Sequence, residues 1–557
     1  MYQQVLDPVS DSLGLSSIFA VLPLITLFVL LGGFRLKAQW AGLISLGVAA
    51  IVAIVVYGVP IGVTANAALL GAIFGLVPIM WIVVNAVWIY NMTVKTGHFA
   101  VLRRSFGAIS SDQRVQAIVI AFAFGALLEA LAGFGTPVAI TAVMLTALGF
   151  SKMKAVCVAL VANTAPVAFG ALAIPVVTAA ELTQIPLEDL GSMVGRQTPL
   201  VAMIVPFILV GMVDGWKGVR AVWPAALVGG LTFAIGQFLC ANYVSVQLTD
   251  IVASLASAGS IVLLMRVWQP GEPLLGDTEG GTKPAIAGAS GHDPALEGAV
   301  RRRDQEHDSR REVLEAYAPY IIIIGLFAIA QLFFKSFIDE GMTPFAWPGL
   351  DVTNPDGDPL TSTMYNPNAS WTGSILLISG VLTAIVLKVR AGTALRTAGE
   401  TFDQLKWAIL TVASVLALAY VMNLSGQTIT LGTWIAGAGA AFAFLSPVLG
   451  WLGTAVTGSD TSSNALFAGL QVTAGEKTGI SQTLLVAANS SGGVMGKMVS
   501  PQNLAIGVAA VGMAGKEGDV LRKVVGWSLL MLLAVCVLVY LQSTPILDWM
   551  VVDTSGG

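Results

Sequence analysis

Asn163-Thr164-Ala165-Pro166, with Gly170 and Pro175 behind it, returns 326 residues later as Asn489-Ser490-Ser491-Gly492, with Gly496 and Pro501 behind it. The same offset carries Ala139 to Ala465, Ala142 to Ala468, Gly149 to Gly475 and Ala162 to Ala488. Each copy follows a knot of small residues inside an apolar run. The first knot is Gly133-Phe134-Gly135-Thr136-Pro137, and the second is Gly458-Ser459-Asp460-Thr461-Ser462-Ser463-Asn464. Two apolar halves interrupted at matching places point to the midplane binding site of a secondary transporter.

Composition agrees. Of 557 residues, 56% are hydrophobic and only 11% charged, where soluble domains carry roughly 25%. Mean hydropathy is +0.81. Apolar runs long enough to span a bilayer recur along the chain, so the expected fold class is an all-α polytopic membrane protein. We read about 12 transmembrane helices plus two re-entrant hairpins, arranged as two inverted repeats. The spans fall near 16–34, 38–58, 66–94, 155–183, 196–213, 219–240, 250–267, 313–334, 370–388, 405–424, 480–513 and 523–543.

The double-length stretches 115–150 and 432–475 are the hairpins. The arm Pro137 to Phe150 has 14 residues. As a helix it reaches roughly 21 Å, short of the ~30 Å hydrocarbon core. A chain that turns at Gly133–Thr136 therefore returns to its own side.

Charge placement sets the orientation. The first apolar run has Asp7 and Asp11 before it and Arg35 and Lys37 after it, the reverse of a secretory signal. With the N-terminus outside, 24 of the 28 Lys and Arg fall on the cytoplasmic side, as the positive-inside rule requires. Of the others, Arg196, Lys335 and Lys477 fall outside, and Lys497 falls within the membrane. The two hairpins then enter from opposite faces, and both termini lie outside. The expected organisation is repeat 1 over 16–213, connector spans over 214–268, a cytoplasmic linker over 269–312 and repeat 2 over 313–543. Repeat 2 includes an external loop over 335–369.

Three intramembrane charges stand out: Glu129, Asp460 and Lys497. Each costs at least ~2.5 kcal/mol near the bilayer centre, so each needs a structural partner or a function. A lone cation beside an unwound segment suits a monoanion such as a carboxylate, so Lys497 is read as its partner. Glu129 and Asp460 are read as candidate proton carriers.

The small-residue knots and the interruptions at Asn163-Thr164 and Asn489-Ser490 bring helix N-termini toward the midplane, where free N–H groups favour anions. At the first tip, Thr136-Pro137 offers a hydroxyl cap and a proline at the first helical position. In the second tip, Asp460, Thr461 and Ser462 can serve that purpose. Asn85, Asn423 and Gln427 read as interhelical hydrogen-bonding residues, and Arg196 as a snorkelling one. No serine-triad, zinc-ligand or complete phosphate-loop pattern is present in the sequence. An enzyme is not expected, and ion coupling is the remaining energy source.

At these residues the chain resembles the bacterial lactate/glycolate permeases. The match is carried by Leu128-Glu129-Ala130-Leu131-Ala132-Gly133-Phe134-Gly135-Thr136-Pro137, Asn163-Thr164-Ala165-Pro166, Asp214-Gly215-Trp216, the second knot, and Gly492-Gly493-Val494-Met495-Gly496-Lys497-Met498-Val499-Ser500-Pro501-Gln502. The resemblance implies proton-coupled uptake of L-lactate, with D-lactate and glycolate as further substrates, across a bacterial inner membrane. A more distant similarity to dicarboxylate/sodium symporters implies an elevator motion. It keeps a sodium-coupled carboxylate carrier as the alternative, and it leaves a homodimer open. The expected substrate site is Gly135, Thr136, Asn163, Thr164, Ser459, Thr461, Ser462, Asn489, Ser490 and Lys497, with Glu129 or Asp460 carrying the proton. No cofactor beyond the coupling ion and no nucleic-acid partner is expected. The lipid bilayer and the monocarboxylate are the partners.

Overall fold

The computed structural model describes residues 2–107, 109–133, 135–271, 273–274, 308–334, 345–360, 363–365 and 367–552. Phe134 of the first knot, most of the 269–312 linker and residues 335–344 of the external loop, with Lys335, lie outside them. Helices dominate. Among the described residues the strands are two-residue pairs: Tyr2–Gln3 runs parallel to Val352–Thr353, and Phe345–Ala346 runs antiparallel to Met364–Tyr365.

Ten helical stretches among the described residues are long and apolar enough to cross a membrane. The count is eleven if the bent pair Lys152–Ala162 and Val167–Thr183 is one span. The stretches expected at 196–213 and 219–240 join into one helical run, Leu187–Tyr243. The chain still breaks inside that run at Asp214–Gly215, where Gly215 has φ 62°. Trp371–Val386 is apolar but only 16 residues long.

The first expected hairpin forms a helix, a tip and a shorter helix. Gln113–Leu131 is wholly buried, and Thr136–Ala147 packs back against it. Its tip turns on Gly133 (φ 37°) and Gly135 (φ 80°), backbone that only glycine adopts readily. Gly135 itself is the cap of the returning helix, and Thr136 makes no capping bond. The expectation for Thr136 is corrected accordingly: a left-handed glycine has taken the cap position, with Pro137 in the first turn behind it.

In the second hairpin Phe442–Thr457 leads to Gly458 (φ 79°) and then to Asp460–Thr478. Here Ser459 is the cap, accepting from the Ser462 N–H at 3.3 Å.

The two broken helices differ from each other. Lys152–Ala162 ends at Asn163, and regular helix is not recovered until after Ala171, Leu172 and Ala173, all left-handed (φ 45°, 61° and 59°). The second helix does not break at Asn489-Ser490, as its sequence partner does. Gln482–Gly496 runs straight through those residues, and the interruption is the short 3-10 turn Lys497–Val499. The helix restarts at Pro501, with Ser500 capping it by accepting from the Asn503 N–H at 3.3 Å. Proline cannot sit in a helix interior without losing a hydrogen bond and clashing with the previous turn, which accounts for the interruption before Pro501. Nothing upstream of Lys497 obliges an earlier one.

Close helix packing comes from small residues. A Cβ placed on Gly450 would lie 1.8 Å from the Asn489 carbonyl oxygen, and one on Gly492 would lie 2.0 Å from that of Pro447. The helices Phe442–Thr457 and Gln482–Gly496 therefore touch backbone to backbone. At the start of the first hairpin, Arg114 bonds Asp112 at 2.6 Å and Asp214 at 3.1 Å, and Asp112 accepts from the Leu274 N–H at 3.1 Å. Burial works against the Asp112 charge, but the hydrogen bonds from Arg114 and the Leu274 amide hold its carboxyl below the usual range.

Gly492→Ala pushes a methyl group into the Pro447 carbonyl. The variant is expected to lose about 1–3 kcal/mol of stability, read as a lower thermal unfolding midpoint in detergent. An unchanged midpoint would mean that these two helices part freely.

Candidate functional site

The broken helices and tips meet at a buried ion pair. Lys497 lies in the second break and Glu129 on Gly125–Ala132, one turn before the first tip. Lys497 Nζ donates to Glu129 Oε1 at 2.5 Å, and the two residues are only 6% and 3% exposed. The lone-cation expectation for Lys497 is thereby corrected: in this conformation its charge is met by Glu129. The pairing joins the two halves of the chain, 368 residues apart in sequence.

Glu129 has a second partner. Asn163 Nδ2 donates to Glu129 Oε2 at 2.9 Å, so the first break grips the carboxylate from its other side. Gly170 packs against the same carboxylate, where a Cβ would meet Oε1 at 3.0 Å.

Asp460 is 2% exposed and is held differently. The Ser490 hydroxyl donates to Oδ2 at 2.7 Å and the Thr454 hydroxyl to Oδ1 at 3.4 Å. Gly493 leaves it room, since a Cβ there would lie 1.9 Å from Oδ1.

A cavity of about 1120 Å³ reaches this cluster. Its buried end is lined by Glu129, Gly133, Gly170, Asp460 and Lys497, and its wall includes Ser459, Thr461 and Ser462. Arg35, Lys37 and Glu517 also line it. Arg35 and Lys37 are exposed, so the cavity opens on the face that the charge count assigns to the cytoplasm. The space is ample for a small carboxylate beside its hydration water.

The sequence-derived site residues fall into two groups. Ser459, Thr461, Ser462, Lys497, Glu129 and Asp460 face the cavity. Gly135, Thr136, Asn163, Thr164, Asn489 and Ser490 do not line it. Asn163 and Ser490 act through the carboxylates they bond. Thr164 donates to the Val161 carbonyl at 2.6 Å. Gly135 packs beneath Asn503 and Ile506. Asn489 donates to Asn464 Oδ1 at 2.9 Å and accepts from Gln471 Nε2 at 3.2 Å.

Asn464 ties the two halves of the chain together, because its Nδ2 donates to the Pro175 carbonyl at 2.9 Å. Asn503 Nδ2 bonds the Gly458 carbonyl at 3.3 Å and the Lys497 carbonyl at 3.2 Å, joining the second tip to the second break. Sequence reasoning passed over Gln471 and the linking role of Asn464. The available signal was spacing: Asp460, Asn464 and Gln471 fall on one helix face. Asp250 was also missed. Its sequence position at the start of a span made it look like an ordinary first-turn acid, yet it is fully buried.

Other polar residues behave as expected of interhelical contacts. Asn85 bonds the Gly373 carbonyl and Gln427 the Ala49 carbonyl. Arg196 does not snorkel freely but bonds Asn242 and the Met550 carbonyl.

Residues 16–546 match the L-lactate permease family. The chain belongs to that family. Among its relatives are the glycolate permease GlcA of Escherichia coli K12, 41% identical over 95% of this chain and 96% of that one, and the L-lactate permease of the same organism, 40% identical over 99% and 100%. The L-lactate permease of Bacillus subtilis 168 is 38% identical over 99% and 100%. Solved structures with some likeness include the Alcanivorax borkumensis YdaH transporter (TM-score 0.42, 14% identity, 85% of this chain and 86% of that one), a distance that adds nothing to the assignment. Family membership makes this chain a multi-pass membrane transporter rather than an enzyme, and the buried cluster at the end of the cavity is its candidate permeation site.

Lys497→Met leaves Glu129 buried without its cation. The expected loss is about 3–5 kcal/mol, seen as a lower unfolding midpoint in detergent. Combining it with Glu129→Gln recovers most of that loss. A double variant no more stable than Lys497→Met alone would show that the stranded Glu129 carboxylate is not the source of the loss.

Proposed function

We propose that the protein is a proton-coupled symporter of L-lactate and related 2-hydroxy monocarboxylates, including D-lactate and glycolate. The relatives named as L-lactate and glycolate permeases supply the substrate class. The observation that carries the coupling is the Lys497–Glu129 pair at the end of the cavity.

The pair is neutral overall. A carboxylate that takes Lys497 from Glu129 brings one negative charge into the cluster and frees another. Left uncompensated, a buried charge costs about 2.5–3.5 kcal/mol, or roughly two powers of ten in affinity. A proton on Glu129 removes that cost. Substrate and proton then enter together, and the site is neutral with both or with neither. The single cation favours a monocarboxylate over a dicarboxylate. In this reading the hydroxyls of Ser459, Thr461 and Ser462 on the cavity wall receive the substrate's carboxylate or its 2-hydroxyl. The substrate sits between the two tips, both of which line the cavity, and an alternating-access cycle moves the hairpins against a fixed frame.

Purified protein in liposomes tests this reading. An acid-outside pH gradient without sodium should drive accumulation of labelled L-lactate. Glu129→Gln should keep lactate exchange and lose pH-driven accumulation. Uptake that requires a sodium gradient and ignores pH would replace proton coupling with the sodium-coupled alternative.

A further inference from the structure

The helix Thr249–Val267 begins with a carboxylate that the scheme above does not use. Asp250 is 0% exposed. An acid in the first turn is ordinary, because the helix N-terminus favours negative charge. Complete burial is not ordinary, since ionised side chains are almost never fully buried unless paired. Among the described residues Asp250 has no ion-pair partner. Gln237 Nε2 donates to Oδ1 at 3.0 Å, while Oδ2 has no hydrogen-bond partner. The three buried carboxyls of the cluster are thus held unequally. Glu129 has a cation and an amide, Asp460 has two hydroxyls, and Asp250 has one amide. A proton on Oδ2 of Asp250 displaces no existing bond.

Asp250 is also tied to the permeation site. Its helix packs against Gly125–Ala132, which carries Glu129. Gln237 Nε2 donates to the Ala165 carbonyl at 3.3 Å as well as to Asp250, and Thr198 donates to Gln237 Oε1 at 3.4 Å. The first break is therefore gripped twice within three residues. Asn163 is bonded to Glu129, and Ala165 is bonded through Gln237 to Asp250.

The charged and titratable groups around Asp250 are few. Glu129 and Lys497 both act on it electrostatically, and it acts on Cys240 of the neighbouring helix. Arg196, on the helix beyond, is directed to Asn242 and the Met550 carbonyl. Glu181 sits near the far end of Gly170–Thr183 and Arg266 near the far end of Asp250's own helix.

We propose that Asp250 and Glu129 form a coupled carboxyl pair, one on either side of the first break, and that the pair together sets the binding of the transported proton. With Lys497 on Glu129, Asp250 is the carboxyl that lacks a cation. When substrate takes Lys497, Glu129 also lacks one, and each carboxyl then raises the other's demand for a proton. Asp250 tunes the proton affinity without lining the cavity, so it is a positioning residue and does not touch substrate. This inference rests on the symport reading above.

The test is the pH profile of L-lactate uptake in proteoliposomes at fixed lactate gradient. Asp250→Asn leaves Glu129 as the single carboxyl of the pair and should move the profile of proton-dependent uptake to lower pH by about one unit, while lactate exchange persists. Among the described residues Gln237 is the only side-chain donor to Asp250, and Gln237→Met removes that hydrogen bond, which favours the ionised carboxylate. It should therefore move the profile the opposite way, to higher pH by about one to two units. The two variants are read independently, so the second decides if the first does not insert. Profiles that superimpose on that of the unsubstituted protein, or that move in the same direction for both variants, overturn the proposal. If uptake by the unsubstituted protein ignores pH altogether, the symport reading fails first and separately.

Discussion

The packing at the buried end of the cavity follows from one contact, the ion pair between Lys497 and Glu129. Lys497 and Glu129 each carry a desolvation cost that neither could meet alone, and the contact between them makes both tolerable. That requirement reaches outward. Asn163 steadies the carboxylate, Gly170 leaves it space, and Asn503 fixes the Lys497 backbone against the second tip. The helix interruptions follow the same logic. At the second interruption the Lys497 ammonium reaches Glu129 in the other half of the chain, and at the first Asn163 reaches the same carboxylate.

The duplication sharpens this. Small residues recur at an offset of 326 residues, yet the charges do not: at that offset Ala171 matches Lys497, Ala455 matches Glu129 and Phe134 matches Asp460. Like charges at matching positions would repel where they met. With the acid in one half of the chain and the base in the other, the contact between the halves is attractive. The backbone differs in step with the side chains. The half without the lysine has a wide break with three left-handed residues, and the half with it has a single short turn. Three such residues are each disfavoured by about 1–2 kcal/mol, so neighbouring contacts must hold the segment there.

The sequence made the helical membrane class, the two tips and the three central charges legible, because each leaves a local mark: hydropathy, glycine next to proline, or a charge in an apolar run. The cavity wall at Ser459, Thr461 and Ser462 could be named for the same reason. What stayed hidden depends on partners distant in the chain. That Lys497 faces Glu129 is a contact over 368 residues, and no spacing rule reports it. The position of the second break was misplaced because Asn489-Ser490 copies Asn163-Thr164 in sequence but not in hydrogen bonding. In a continuous helix Asn489 turns to Asn464, whereas Asn163 turns to Glu129. Asp250 escaped notice because burial of a helix's first turn is decided by what packs over it.

The backbone contact between Phe442–Thr457 and Gln482–Gly496 has a mechanical meaning. Gly450 beneath the Asn489 carbonyl and Gly492 beneath that of Pro447 act as interlocking teeth, with no side chains between them to flex. Sliding one helix along the other by a residue's rise would drive a side chain into a carbonyl. The second tip and the lysine thus belong to a single stiff body, and displacement of one carries the other at a fixed distance. Any motion that exposes the cavity to the opposite face must then be taken up elsewhere, at joints padded by compressible side chains.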